Sequence, residues 1–186
     1  MFSSLLKMVK VPAIVRRAAK DESGATAIEF AIVGPVFLSL VFSAMEVGLL
    51  MTKNALLENA ASTISRSIYT GSVTNGALTR EDLIETVCEA ISIIDSSCAE
   101  NVSIELTPIA NFQAIPSSDT QCTDSAQPVN PVVDFIPGAG NSIVYMRICL
   151  STNIYTPGIG FGSQLTQTST GKFELVTAIA FANEPF

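Results

Sequence analysis

The sequence predicts an α+β protein. A long N-terminal transmembrane helix should continue into a small extracytoplasmic domain, where a second helix packs on an antiparallel sheet of three or more strands. Three observations carry this prediction. A basic head is followed by an uncharged apolar run, two helical periodicities come next, and three strand patterns separated by long loops close the chain.

Composition narrows the class first. Charged residues make up 15% of the 186 residues, against roughly 25% in a typical soluble domain. Mean hydropathy is +0.43, which argues against a purely soluble cytosolic enzyme. The chain has no His, so His-based triads, His metal ligands and His acid–base pairs are excluded. A net charge of -7 argues against nucleic acid as a partner.

The charge is asymmetric. Residues 1–24 hold Lys7, Lys10, Arg16, Arg17 and Lys20 against Asp21 and Glu22, a basic head of +3. The remainder holds five basic and fifteen acidic residues, a body of -10. From Phe30 to Met45 no charge occurs, and Glu29 and Glu46 bracket the run. Seventeen residues of helix cover about 26 Å, close to the ~30 Å hydrocarbon core. Both carboxylates are therefore expected near the two interfaces, within a transmembrane helix over 25–52. The basic residues before the run keep the N-terminus in the cytoplasm, and the residues after about 52 should lie outside. A cleaved signal peptide fits less well. No small-x-small site follows the run, and Asp21 and Glu22 stand where basic residues are expected. Pro35 should kink the span.

Beyond the span, Leu56, Leu57, Ala60, Ala61, Ile64 and Ile68 recur at steps of three and four, so the helix should continue to about Tyr69 and end at Thr70-Gly71-Ser72. A second helix should start after Thr79, which with Asp82 resembles a capping box. Leu83, Ile84, Val87, Ile91 and Ile94 give it one apolar face, and Asp95-Ser96-Ser97 should stop it. Val102 to Thr107 and Phe173 to Ile179 alternate as half-buried strands. Ser142 to Leu150 is nearly all apolar and reads as a buried central strand. The connections 110–141 and 151–172 are long loops, and no internal repeat is present.

The cysteines, Cys88, Cys98, Cys122 and Cys149, all follow the span. An even count on the outer side suggests two disulfides. Three connectivities are possible. Cys88–Cys98 with Cys122–Cys149 is favoured, because a return after the second helix can bring the first pair together. Each bridge would contribute roughly 2.5–4 kcal/mol in the chain-entropy model. A zinc site is disfavoured by the lack of His and of any CxxC pair.

No catalytic motif appears: no GxSxG, no Walker loop and no HExxH. The glycines at 138, 140, 158, 160 and 162 lack a phosphate-binding context. Glu81, Asp82, Glu85 and Glu89 read as a solvated helix face. Neither an enzyme, a cofactor, a metal nor a small-molecule substrate is expected. Tyr155, Ile159 and Phe161, in the loop segment 154–161, form a candidate partner surface, because exposed apolar side chains on a loop often mark one.

The stretch Ser23-Gly24-Ala25-Thr26-Ala27-Ile28-Glu29-Phe30-Ala31, followed by Pro35 and by Glu46-Val47-Gly48, resembles the TadE-like (TadE/TadG) proteins of the tight-adherence, or Flp-type, pilus machinery. The ending Phe181-Ala182-Asn183-Glu184-Pro185-Phe186 resembles the endings of such proteins. The resemblance implies a type IV pilin-like layout. A prepilin peptidase would cut between Gly24 and Ala25, making 1–24 a basic cytoplasmic leader and Glu29 the fifth residue of the mature chain. Glu29 would then compensate the new α-amino group of a neighbouring subunit, as a carboxylate at a membrane edge needs a partner.

The resemblance also implies partners: other pilus or pseudopilin subunits and the inner-membrane assembly platform. It places the chain in a bacterial inner membrane with a periplasmic C-terminal domain, 53–186, and allows for its incorporation into a surface pilus. The function implied is that of a minor pilin or pseudopilin, acting in pilus assembly and surface adhesion. Major pilins are little more than the helix, so the long outer domain departs from a filament-body subunit. The Asp-x-Ser-x-Ser motif of metal-dependent adhesion domains is not matched by Asp95-Ser96-Ser97. Alternatives are an uncleaved single-pass envelope protein whose periplasmic domain binds another protein, and a secreted soluble domain.

Overall fold

The computed structural model describes residues 24–115, 134–165 and 171–185. The leader up to residue 23, Cys122, and Pro116, Pro128 and Pro131 of the first long loop lie outside the described residues. Contacts divide the chain into two compact units, Met1–Val41 and Phe42–Phe186.

The elements are α1 (Ala25–Tyr69), α2 (Arg80–Ile91), α3 (Cys98–Asn101), β1 (Val102–Ile109), β2 (Ile143–Asn153) and β3 (Lys172–Ala182). Helix α1 is continuous over 45 residues and runs through Pro35. Its residues in the first unit are almost all exposed. Ile28, Phe30, Ile32, Val33, Val36, Phe37 and Leu40 each leave more than 60% of their surface uncovered. In its most hydropathic 18-residue window, with a mean hydropathy of 2.0, only 6% is buried. A core helix of a soluble protein would be covered there.

In the second unit, α1 presents Leu57, Ala60, Ala61, Ile64 and Ile68 to the core. It ends at Tyr69 with Gly71 at φ 78°. The Ser72 amide donates to the Ser67 carbonyl at 3.1 Å and the Gly71 amide to the Ile68 carbonyl at 2.9 Å. These are the two bonds of a Schellman ending, which needs a residue that tolerates positive φ. Helix α2 begins in a full capping box. Thr79 Oγ1 accepts from the Asp82 amide, and the Asp82 carboxylate accepts from the Thr79 amide at 2.7 Å. Leu83, Val87 and Ile91 form its buried face. The helix stops at Ile91, short of Ile94, and a turn follows in which the amides of Ile94 and Asp95 both donate to the Ile91 carbonyl.

The sheet has the order β1-β2-β3 with both pairs antiparallel. Leu106 faces Met146 across the first pair and Met146 faces Ile179 across the second. The central strand is buried along most of its length, as expected for a strand flanked on both edges. It runs three residues beyond Leu150, to Asn153. On the outward face Arg147 pairs with Glu105, its register partner, at 2.7 Å, a cross-strand pair of opposite charge. Residues 134–136 lie along the free edge of β1, where the Leu106 amide donates to the Asp134 carbonyl and the Ile136 amide to the Leu106 carbonyl. This covers part of an edge that would otherwise offer open backbone groups.

The C-terminal residues close the end of the sheet near Tyr69. Asn183, 4% exposed, donates through its amide nitrogen to the carbonyls of Pro137 and Ala139. The Glu184 amide donates to the Tyr69 carbonyl. Gly138 sits between, at φ 77°, where a Cβ would collide with Val144 and Ser142.

Candidate functional site

Two buried charges on α1 organise the start of the second unit. Glu46 is 1% exposed. Its carboxylate accepts from the Tyr155 amide at 3.1 Å, from the Thr156 amide at 2.9 Å and from the Thr156 hydroxyl at 3.0 Å. Two successive backbone N–H groups and a hydroxyl thus converge on one anion, in the manner of a backbone nest. Glu46, expected near a membrane interface, is enclosed by protein and does not face solvent. The physical reason is that an isolated buried carboxylate is very costly, and three donors offset that cost.

Seven residues on, Lys53 is also 1% exposed. Its ammonium lies 3.1 Å from an Asp95 carboxylate oxygen and donates to Thr152 Oγ1. The Tyr155 ring lies 5.6 Å from it, within cation–π reach. Thr152 in turn donates to Asp95 at 3.4 Å. Asp95 also accepts from the Ser97 amide and hydroxyl, at 3.1 and 2.8 Å. Burial pushes the Asp95 carboxyl up, but the Ser97 hydroxyl and the Lys53 ammonium outweigh it and hold the group below its ordinary value of 3.8. Asp82, outside the core, is also lowered, first by the Thr79 amide and then by the Thr79 hydroxyl.

A disulfide holds the segment that carries Asp95. Cys88 on α2 is bonded to Cys98 at the start of α3, with Cα atoms 5.4 Å apart. The bridge closes a loop of sequence separation 10 with Asp95 inside it. Cys149 on β2 is disulfide-bonded as well, and Cys122 lies outside the described residues.

The end of β2 and the loop after it follow α1 step by step. Thr152 meets Lys53, Tyr155 and Thr156 meet Glu46, and the Phe161 amide donates to the Ser43 hydroxyl at 3.0 Å. A short 3-10 turn, Gly160–Gln164, ends this path. Ile154 is buried, while Tyr155, Ile159 and Phe161 are 56%, 52% and 43% exposed. Phe161, Leu165 and Phe173 line, with Val47, Leu50 and Met51 of α1, an apolar cavity of about 280 Å³.

The processing residues lie at the other end of α1. Gly24 precedes the helix with open space around its Cα, and Ala25 and Glu29 are exposed in its first five residues. Among the described residues, no group of three or more His, Cys, Asp or Glu side chains is placed to hold a metal ion.

The sequence reading missed Ser43, Glu46, Lys53 and Thr152 as members of one arrangement. A signal existed on the helix side. Positions 46, 50, 53, 57, 60, 61, 64 and 68 form one face at steps of three and four, so the apolar periodicity extended backwards would have placed Glu46, Leu50 and Lys53 inside.

No curated protein and no solved structure matches the chain. Residues 24–66 match the family model for the TadE-like protein. The match begins at Gly24 and ends within α1, so it takes in the exposed apolar run and most of the buried helix face with Glu46 and Lys53. Over residues 24 to 66 the chain is similar to TadE-like proteins.

Proposed function

We propose that the protein is a membrane-anchored minor pilin or pseudopilin of a tight-adherence (Flp-type) pilus or secretion apparatus, acting in pilus assembly and surface adhesion. The TadE-like segment supports a component associated with that pilus system. The observation that carries the reading is the change of surface within one helix. The large apolar side chains over 25–45 are all exposed, whereas the following turns bury a single face in an α+β domain. Twenty-one residues of helix cover about 32 Å, enough for the ~30 Å hydrocarbon core. With Glu46 enclosed by protein, the only charge left on this run is Glu29, near its start.

In this reading residues 25–45 cross a bacterial inner membrane with the N-terminus cytoplasmic, and the domain that follows is periplasmic, where disulfides form and persist. The span engages other pilus subunits and the assembly platform, and prepilin peptidase cuts after Gly24. The exposed Gly24–Ala25 bond and a Glu29 free of burial suit both steps.

N-terminal sequencing of the protein from membranes tests this. A start at Ala25 is expected, and Gly24→Phe should leave the chain beginning at Met1. A wild-type start at Met1 would instead identify an uncleaved single-pass anchor. A start beyond Met45 would identify a secreted domain.

A further inference from the structure

We infer that the loop after β2 is a membrane-interface anchor: Tyr155, Ile159 and Phe161 insert into the boundary between lipid headgroups and acyl chains beside the end of the apolar run. The inference rests on the reading of 25–45 as a membrane span, and it identifies the partner of the exposed loop surface as lipid.

Position is the first argument. The loop contacts α1 at Lys53 through the Tyr155 ring, then at Glu46, then at Ser43. Ten residues of helix separate the first and last of these, so the loop passes about 15 Å along the helix axis. It arrives where Phe42 and Met45, 44% and 58% exposed, are the last uncovered apolar residues of the run. If Phe42 and Met45 are in lipid, the Phe161 backbone, bonded to Ser43, lies at the same depth.

Composition is the second argument. From Ile154 to Gly171 the sequence holds no charged residue, although the chain after residue 24 is strongly acidic. An uncharged loop on a body of -10 is what a surface in contact with anionic headgroups requires. Tyr155 has the apolar body and polar tip that favour the interface, and Ile159 and Phe161 supply purely apolar surface.

Backbone satisfaction is the third. A loop entering the interface carries N–H groups into a region poor in water. Here the amides of Tyr155, Thr156 and Phe161 already bond Glu46 and Ser43, and the Ile159 amide bonds the Thr156 carbonyl. Glu46 thus acts as an internal acceptor set that presents the loop's apolar side chains outward.

The chain contains no Trp, so a single introduced Trp reports one site. The full-length Ile159→Trp protein would be reconstituted in vesicles of phosphatidylethanolamine and phosphatidylglycerol, with lipids brominated either just below the headgroup or deep in the acyl chain. Emission should shift to the blue and be quenched more by the shallow bromines than by the deep ones. Tyr69→Trp, at the far end of α1, should emit in the red and stay unquenched. Phe37→Trp, within the apolar run, should be quenched most by the deep bromines.

If Ile159→Trp behaves like Tyr69→Trp while Phe37→Trp is quenched, the lipid assignment falls and the span stands. Blue-shifted but unquenched Ile159→Trp would mean a protein partner, a second copy or another subunit, and would equally overturn it. Loss of quenching at Phe37→Trp as well would overturn the span reading and this inference together. Phe161→Trp gives the same readout if Ile159→Trp does not fold, as judged by protection of Cys88 and Cys98 from alkylation.

Discussion

The two parts of α1 obey different rules although one unbroken helix contains both. Over 25–45 nothing selects a face: Ile28, Phe30, Ile32, Val33, Val36 and Phe37 point all around the axis and remain uncovered. Over 46–69 one stripe is buried and the rest carries Asn54, Glu58, Thr63 and Arg66. An amphipathic stripe is the mark of a helix with core on one side and water on the other. Exposed apolar residues over 25–45 belong to a helix long and apolar enough to cross a membrane. The change falls at Glu46, a charged residue, and the charge is compatible with that place because protein donors enclose it.

The largest effect that would sharpen this contrast comes from Asp95, which neutralises Lys53 on the buried stripe. Asp95→Ala should destabilise the outer domain by about 3–5 kcal/mol, the usual cost of leaving a buried charge unpaired. Replacing both partners, Lys53→Met with Asp95→Leu, should restore most of that loss. Chemical denaturation in detergent, followed by circular dichroism, measures both. If the single variant is as stable as the double, the ammonium is hydrated and the stripe does not begin before Leu57.

The next effect compares apolar residues from the two parts. Leu57, fully buried, should lose about 2–5 kcal/mol on truncation to Ala through lost contacts and a residual cavity. Leu40, 65% exposed, should leave the denaturation midpoint of the outer domain unchanged when truncated in the same way. Equal losses at both positions would break the distinction, since they would require Leu40 to be covered by protein.

Much of this layout is legible in the sequence, and the reasons are local. Strand alternation from Val102 to Thr107, the apolar run of β2, Gly71 at the helix end and Thr79 before α2 are signals within a few residues of one another. Residues whose partners are remote defeated the same reasoning. The amides that hold Glu46 lie 109 and 110 positions away, and the hydrogen-bond partners of Lys53, Asp95 and Thr152, lie 42 and 99 away. Read locally, each is a charge to be kept in water. For the same reason β2 extends to Asn153 unforeseen, since Ser151 and Thr152 look like loop residues until Thr152 is seen between Lys53 and Asp95.

The smallest expected effect is an acid-side loss of stability confined to the outer domain. Two carboxyls, Asp95 and Asp82, are held below 3.8 in the folded protein. A lowered folded value means that the unfolded chain takes up protons first as pH falls. The contribution is therefore complete above the ordinary carboxylate range and is lost below about pH 4, as pH drops through the folded values. For Asp95 the effect is reduced, since burial opposes the bonds from Ser97 and Lys53. The groups facing that carboxyl come from several elements: Lys53 on α1, Thr152 on β2 and Ser97 before α3. Only Lys53 among them carries a charge. Denaturation midpoints between pH 6 and pH 3 should therefore fall more steeply for the wild type than for the Lys53→Met, Asp95→Leu double variant, which retains only the Asp82 contribution of the pair. Parallel slopes would show that Asp95 titrates as it does in the unfolded chain, and the ion pair would then be a contact of geometry without electrostatic weight.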